Sequence, residues 1–285
     1  MYVVAGVSGH TGAATAEALL AQGKRVRVLV RSAEKGEPWK KKGCEVAVTD
    51  LGDTAGLAKA LQGAQGFYLL SPPNFAAADF LADRRALLEK VVAAVEQAQV
   101  PAVVFLSSVG AQHPSGTGPI VGLHRAEKAL EGIAPSVTFL RAAYFLENWG
   151  SVVPVAKAQG ILPFFGATSV KFSQVSTKDI GAAAAKALLE PASGTRVIEL
   201  AGKEDWAADD VAQALGTLLG KPVKAVGAPV ESARAGLEQA GVPPEMARLY
   251  AEMYQGMAKG LAAFERPNAL TRGTASLAEA LKPLV

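Results

Sequence analysis

The chain has one cysteine, Cys44, in 285 residues, which excludes an internal disulfide and any cysteine-based zinc cage. Its three histidines, His10, His113 and His124, are too scattered to suggest a metal site. Charge of one sign is scarce as well. The 29 basic and 26 acidic residues leave a formal +3, too little and too dispersed for a nucleic-acid or membrane-surface partner. Long hydrophobic runs are missing: Val91 to Val95 and Pro101 to Leu106 are separated by Glu96 and Gln97 and fall short of membrane-spanning length. The opening Tyr2-Val3-Val4-Ala5 reads as a strand rather than as the charged segment and apolar core of a signal peptide. A soluble, cytoplasmic protein is expected. A nucleophile elbow is excluded, because Ser8 lacks the second flanking glycine.

Half of the residues are apolar, enough to build a sizeable core. Short β-branched or apolar runs recur at Tyr2 to Gly6, Arg25 to Val30, Glu45 to Thr49, Gly66 to Ser71, Ala102 to Ser107 and Ser136 to Leu140. Stretches of helical spacing lie between them, at Thr11 to Gln22, Thr54 to Gln62, Ala77 to Gln99 and Leu123 to Gly132. Repeated βαβ units demand right-handed parallel crossovers, so the expected class is α/β, a doubly wound parallel sheet of the Rossmann kind. A closed barrel is disfavoured because the alternation decays after Asn148. Thr177 to Leu189 reads as a helix and Arg196 to Leu200 as an edge strand of the same sheet. Asp205 is a plausible N-cap for a helix reaching Gly220, and further helices are expected at Val230 to Ala240 and Pro243 to Gly260. The expected division is therefore 1–152 with 174–202 as the dinucleotide-binding domain, and 153–173 with 203–285 as a smaller, mainly helical lobe. Met246, Leu249, Tyr250, Met253 and Met257 fall on one helical face, either the core of that lobe or a lid over an apolar substrate.

The first strand ends in Gly6-Val7-Ser8-Gly9-His10-Thr11-Gly12 and an Ala-rich helix follows. A glycine turn between a first strand and a first helix suits a pyrophosphate, which binds the unpaired N–H groups and positive end of the helix. Gly6 permits the tight turn, Gly9 close approach to the phosphates, and Gly12 close packing of helix on sheet. Ser8, His10 and Thr11 complete the expected contact surface. Arg31 ends the second strand about twenty residues on, where an acidic residue would bind the ribose hydroxyl of NAD. A guanidinium there can clamp a 2′-phosphate, so NADP(H) is expected in preference to NAD(H), with Lys35 or the run Lys40-Lys41-Lys42 as helpers. That run reads equally as a solvated loop or helix face. Asp50, ahead of Leu51, sits where this fold contacts the adenine edge.

The spacing G-x-x-G-x-x-G resembles that of the extended and atypical short-chain dehydrogenase/reductases. The resemblance sharpens across nearly the whole chain toward the NmrA-like atypical members, close to their NAD(P)H:quinone oxidoreductase branch. It is carried by Val26 to Arg31, Val48-Thr49-Asp50-Leu51-Gly52-Asp53, Leu69-Leu70-Ser71-Pro72, Leu140 to Trp149 and Val175 to Gly181. Ala142-Ala143 departs from the usual Pro-Gly before the aromatics. The resemblance implies that Leu70, Ser71 and Pro72 line the nicotinamide-ribose side of a cleft and that Ala143 and Tyr144 flank the nicotinamide. It also implies either a reductase of quinones, aromatic dyes or related small molecules, or a non-catalytic redox sensor acting through a protein partner.

Ordinary short-chain reductases carry Tyr and Lys four apart on the helix after the fifth strand, which points both at one cleft. That helix has no tyrosine here. It offers His124 and Lys128, with Ser107 and Ser108 at the end of the preceding strand. Lys128 could hold the nicotinamide ribose and tune a proton donor, or pair with Glu131 in solvent. His124 could donate a proton, orient substrate, or be an ordinary polar residue. Tyr144, Phe145, Asn148 and Trp149, with Phe164 and Phe165, border the proposed cleft and suit a flat aromatic acceptor, although core packing explains the rings equally. The expectation is an NADPH-dependent reductase of a quinone or similar conjugated carbonyl. The alternative is a non-catalytic NADP(H) sensor, and the oligomeric state stays open.

Overall fold

Strand and helix alternate through the first half of the chain as its periodicity dictates. In the computed structural model, which describes residues 1–285, this half comprises β1 (Tyr2–Val4), α1 (His10–Ala21), β2 (Val26–Val30), α2 (Ala33–Lys41), β3 (Glu45–Val48), α3 (Thr54–Leu61), β4 (Gly66–Leu69), α4 (Phe80–Ala98), β5 (Ala102–Ser108), α5 (Val121–Leu130) and β6 (Ser136–Ala142). Then follow β7 (Tyr144–Phe145), α6 (Val153–Gln159), β8 (Ile161–Phe165), β9 (Phe172–Val175), α7 (Thr177–Leu189) and β10 (Gly194–Ala201). The chain closes with β11 (Asp205–Trp206), α8 (Ala208–Leu219), β12 (Lys224–Ala228), α9 (Ala233–Gln239), α10 (Pro244–Ala258), β13 (Thr271–Arg272) and α11 (Leu277–Leu281).

Eight strands form one parallel sheet in the order β13-β10-β6-β5-β4-β1-β2-β3. Connections run outward in opposite directions from β1 and β4, so a crevice opens at their carboxyl ends, where open α/β sheets take ligands. One face buries Val4, Val28 and Tyr68 against Leu19 of α1, Trp39 of α2 and Ile180 and Leu188 of α7. The other buries Val3, Phe67, Val103 and Phe139 against Leu57 of α3, Val91 of α4 and Leu130 of α5. Cover on both faces explains why the strands read as near-continuous apolar runs. No helix is long and apolar enough to cross a membrane.

The structure departs from expectation beyond β6. The region outside the large sheet is mainly helical, as expected, but it also holds two small sheets, β11-β9-β7 and β12-β8, that the sequence did not show. Its core joins Leu146, Trp149 and Leu162 to Val211 and Leu215 of α8 and Leu277 and Leu281 of α11. Strands of two to five residues carry too few alternations to register as a period. β10 is not the edge of the large sheet, because β13 returns from the distal segment to pair Leu200 with Thr271. Asp205 lies in β11, and α8 begins after Ala207, whose N–H is taken by Asp210 at 2.8 Å. The Lys40–Lys42 run closes a real helix, α2, of which only Gly36 and Trp39 are buried.

Candidate active site

The turn between β1 and α1 is shaped by its missing side chains. Gly6 has φ +70°, and a Cβ there would stand 2.2 Å from Leu70 Cδ2, so Leu70 closes over the turn. A Cβ on Gly12 would stand 2.4 Å from the Gly6 carbonyl and 2.5 Å from that of Ala5, which seats α1 directly on the strand end. Gly9 is different. A Cβ there would meet only the Gly6 oxygen, at 3.5 Å, so nothing inside the protein demands the glycine. Gly9 is also the N-cap of α1, which has no side-chain cap and no acidic residue in its first turn. Its leading N–H groups therefore have room for an external anion. Ser8, Gly9 and His10 are exposed at the rim, while Thr11 is buried and accepts the Thr15 hydroxyl at 2.8 Å.

β2 lies beside β1 in register, and Arg31, at its carboxyl end, is exposed, as is Lys35 on α2. Neither has a carboxylate within ion-pairing distance. Two of the three lysines in the other expected run are occupied: Lys40 pairs with Glu37 at 2.6 Å, and Lys42 pairs with Glu17 while lying 4.8 Å from the Trp39 ring centre. Asp50 is exposed, and its carboxylate takes the Gly52 N–H at 2.7 Å in a local turn, with Leu51 packed behind it. A dinucleotide fits these features: open N–H groups for its pyrophosphate, and an unpaired guanidinium beside them.

At the end of β4, sequence reasoning missed Arg84. Its Nε donates to the Ser71 hydroxyl at 2.9 Å and its Nη2 to the Ser71 carbonyl at 2.7 Å. The guanidinium stacks 4.9 Å from the Phe80 ring centre. It has no carboxylate partner, and burial pulls its pKa down to about 10, against the opposing influence of Tyr250 and Asp83. Pro72 begins the exposed loop that follows.

The expected Ser107, His124 and Lys128 do not form one constellation. α5 presents Glu127, not Lys128, to Ser107: the buried serine hydroxyl donates to Glu127 at 2.5 Å. Lys128 is turned to solvent with 67 % of its side chain exposed and lies 3.5 Å from Glu131. His124 is half-buried, with Nδ1 2.8 Å from the Ala111 carbonyl. A carbonyl can only accept, so Nδ1 carries the proton and neutral His124 has only a lone pair at Nε2. The hydroxyl of Ser108 donates to Val109 O at 2.9 Å.

Glu127 belongs to a buried polar row. Ser107, Arg141 and Glu199 stand side by side on β5, β6 and β10. Arg141 binds Glu127 through Nε at 2.9 Å and Nη2 at 2.7 Å, and also pairs with Glu265. Glu199 takes the N–H groups of Glu265 and Arg266 at 2.7 and 2.8 Å, tying the segment that leads to β13 onto β10. The available signal was a charge set among apolar neighbours, Arg141 after Phe139-Leu140 and Glu199 between Ile198 and Leu200.

Beyond β6, Ala143 is buried and its N–H binds the Leu200 carbonyl at 2.9 Å. Tyr144 sits 5.8 Å from Trp149 and 5.6 Å from Phe172, and Phe164 stacks on Phe172 at 6.0 Å. Trp149, expected at the substrate, is instead 3 % exposed and donates to Gln174 at 2.7 Å, a core anchor of the small sheets. Phe145 packs on the large core, and Asn148 is exposed. Burial pushes the Tyr144 hydroxyl well above the usual phenol range, with Tyr254 and Tyr250 adding to it. The same segment carries Glu147, which caps α7 by accepting from the Thr177 N–H and hydroxyl at 2.9 and 2.7 Å.

A sheet reversing at β1, a bare helix N-terminus and a guanidinium on the next strand define a dinucleotide-binding protein of the Rossmann class. The chain belongs to the NmrA-like family, whose pattern it matches over residues 2–282. It is 28 % identical over 267 residues to quinone oxidoreductase 2 of Escherichia coli (strain K12), covering 91 % of this chain and 89 % of that one. To the NAD(P)H azoreductase of Xenophilus azovorans it is 24 % identical over 256 residues, 89 % and 86 % of the two chains. The crystal structure of an NADPH-dependent quinone oxidoreductase from E. coli, complexed with NADPH, superposes with a TM-score of 0.82 at 27 % identity, covering 100 % of this chain and 99 % of that one.

Proposed function

We propose that quinones and related conjugated carbonyls are the acceptors of this NAD(P)H-dependent oxidoreductase, and that NADPH serves it better than NADH. The observation that carries the reading is the uncapped N-terminus of α1, free of side chains at Gly9, with Arg31 unpaired beside it. A bound dinucleotide would supply the hydride. The protein's own part is to hold the phosphates on the Gly6–Gly12 turn, to meet a 2′-phosphate with Arg31, and to fix the far end of the cleft through Ser71 and Ala143. Leu70 and the rings around Tyr144 enclose the carboxyl ends of β4 and β6, a setting that favours a flat, apolar acceptor and excludes water. The named activities of the quinone oxidoreductase and azoreductase relatives support an aromatic acceptor.

The test is NADPH oxidation with a panel of quinones and aromatic aldehydes. Turnover with quinones is expected; tight NADPH binding without turnover on any acceptor returns the chain to the sensor alternative. For the coenzyme, Arg31→Ala should weaken NADPH roughly tenfold or more, the worth of a charge-assisted contact, and leave NADH nearly unchanged. Equal losses would refute the assignment of Arg31.

A further inference from the structure

Helix α10 carries the tyrosines that α5 lacks. Tyr250 and Tyr254 are four residues apart and share a face of α10. Tyr254 packs 5.4 Å from Phe165, and Tyr250 packs on the cluster of Phe80, Met246 and Leu249. Phe80 is also the ring on which Arg84 lies, and Arg84 holds Ser71 at the end of β4. This chain of contacts, Tyr250 to Phe80, Phe80 to Arg84 and Arg84 to Ser71, sets Tyr250 on the β4 side of the strand ends. The phosphate turn is at β1, so the reactive end of a dinucleotide, and its acceptor, must extend toward this point.

We propose that Tyr250 is the proton donor to the reduced acceptor, with the half-buried Arg84, which has no carboxylate ion-pair partner, stabilising the tyrosinate it leaves. This rests on the reductase reading above. Hydride arriving at the acceptor carbon forms a C–H bond and moves the C=O π pair onto oxygen. The Tyr250 O–H bond breaks, its proton goes to that oxygen, and the tyrosinate is reprotonated from water. Neither neighbouring tyrosine matches this position: Tyr144 packs between Trp149 and Phe172, and Tyr254 packs at a tilt against Phe165. Burial raises the Tyr250 hydroxyl above the ordinary phenol value of 10.0, and Arg84 alone opposes it.

The experiment compares wild type, Tyr250→Phe and Tyr254→Phe with menadione and with p-nitrobenzaldehyde. Phe retains the packing on Phe80 and removes only the hydroxyl. An aldehyde yields an alkoxide, which needs an acid, whereas a quinone yields a weakly basic phenolate. Tyr250→Phe should therefore lower kcat about a hundredfold with the aldehyde, in the range of general-acid catalysis, and only a few-fold with menadione. A second readout is independent of turnover: an ultraviolet difference titration should lose one tyrosinate transition in Tyr250→Phe, and Arg84→Gln should move that transition to higher pH. Equal losses on both acceptors, a selective loss in Tyr254→Phe instead, an unmoved transition, or a wild type active on menadione but inert on the aldehyde would each overturn the proposal. A wild type inert toward both acceptors would refute the reductase reading, and the proton donor with it.

Discussion

Arg141→Met is the sharpest perturbation of the buried row. Methionine nearly fills the space of the arginine stem but strands the Glu127 carboxylate, of which 5 % is exposed, with only the Ser107 hydroxyl to solvate it. Removing one partner of a buried ion pair costs about 3–5 kcal/mol, because the other charge is left in low dielectric. The second contact, to Glu265, adds little, since half of that side chain is in solvent. For 285 residues the entropy of unfolding is about 0.6 kcal/mol per kelvin, so the melting temperature should fall by roughly 5–8 °C. Urea unfolding at neutral pH measures the free energy directly. The double variant Arg141→Met with Glu127→Leu should recover most of the loss, because no charge then remains buried. A single-variant loss below about 1 kcal/mol, the scale of an exposed pair, or a double variant weaker than the single, would refute the reasoning.

Gly9→Ala and Gly12→Ala should separate binding from folding. The backbone at Gly9 is extended, φ −110°, and has room for a Cβ, so calorimetry of the cofactor-free protein should show no loss while titration shows weaker NADPH binding; unchanged affinity would remove the phosphates from Gly9. Gly12→Ala forces a Cβ against two fixed carbonyls and should cost about 1–3 kcal/mol or more by overpacking, read as a lower urea midpoint without any ligand. At the sheet edge, hydrogen bonds from Arg27 and Arg25 hold the Glu45 carboxyl below its ordinary 4.5. A depressed carboxyl contributes stability that is present above the unfolded value and is lost as pH falls through the folded one. Glu45→Gln should therefore flatten the acid limb of the stability–pH curve below about pH 4.5 and leave its shape at neutral pH unaltered; an unchanged acid limb would contradict the assignment.

The doubly wound sheet was legible because its strands are buried on both faces, so Val103 to Leu106 reads as an unbroken apolar run and Val137 to Leu140 as one interrupted only by Thr138. The glycine turn was legible for a related reason: Gly6 and Gly12 answer to backbone geometry within a dozen residues, and local constraints leave local marks. β13 left none. Thr271 and Arg272 become a strand only because Leu200 and Ala201 of β10 lie ready to pair with them, a relation seventy residues long that no window captures. Glu127 was hidden differently. Spacing on α5 singles out residues four apart, His124 and Lys128, whereas burial selects the residue between, and which carboxylate faces inward depends on Arg141 waiting on the next strand.

The same row decides where acid chemistry can occur. The hydroxyl proton of Ser107 is committed to Glu127 at 2.5 Å, so at the cleft this serine can offer only lone pairs. The Nδ1 proton of His124 is committed to Ala111, so its other nitrogen can offer a proton only as imidazolium. Lys128 stands in solvent beside Glu131. The helix that in ordinary short-chain reductases supplies both tyrosine and lysine therefore has no free neutral donor here. Ser71 has the opposite polarity: its oxygen accepts from Arg84, which leaves its own proton available at the end of β4. Donors thus concentrate on the β4 side, where Arg84, Ser71 and α10 meet, and acceptors on the β5 side. On the proposed reductase reading, a ligand lying across these strand ends would meet that gradient, with its developing negative oxygen over β4 rather than over Ser107.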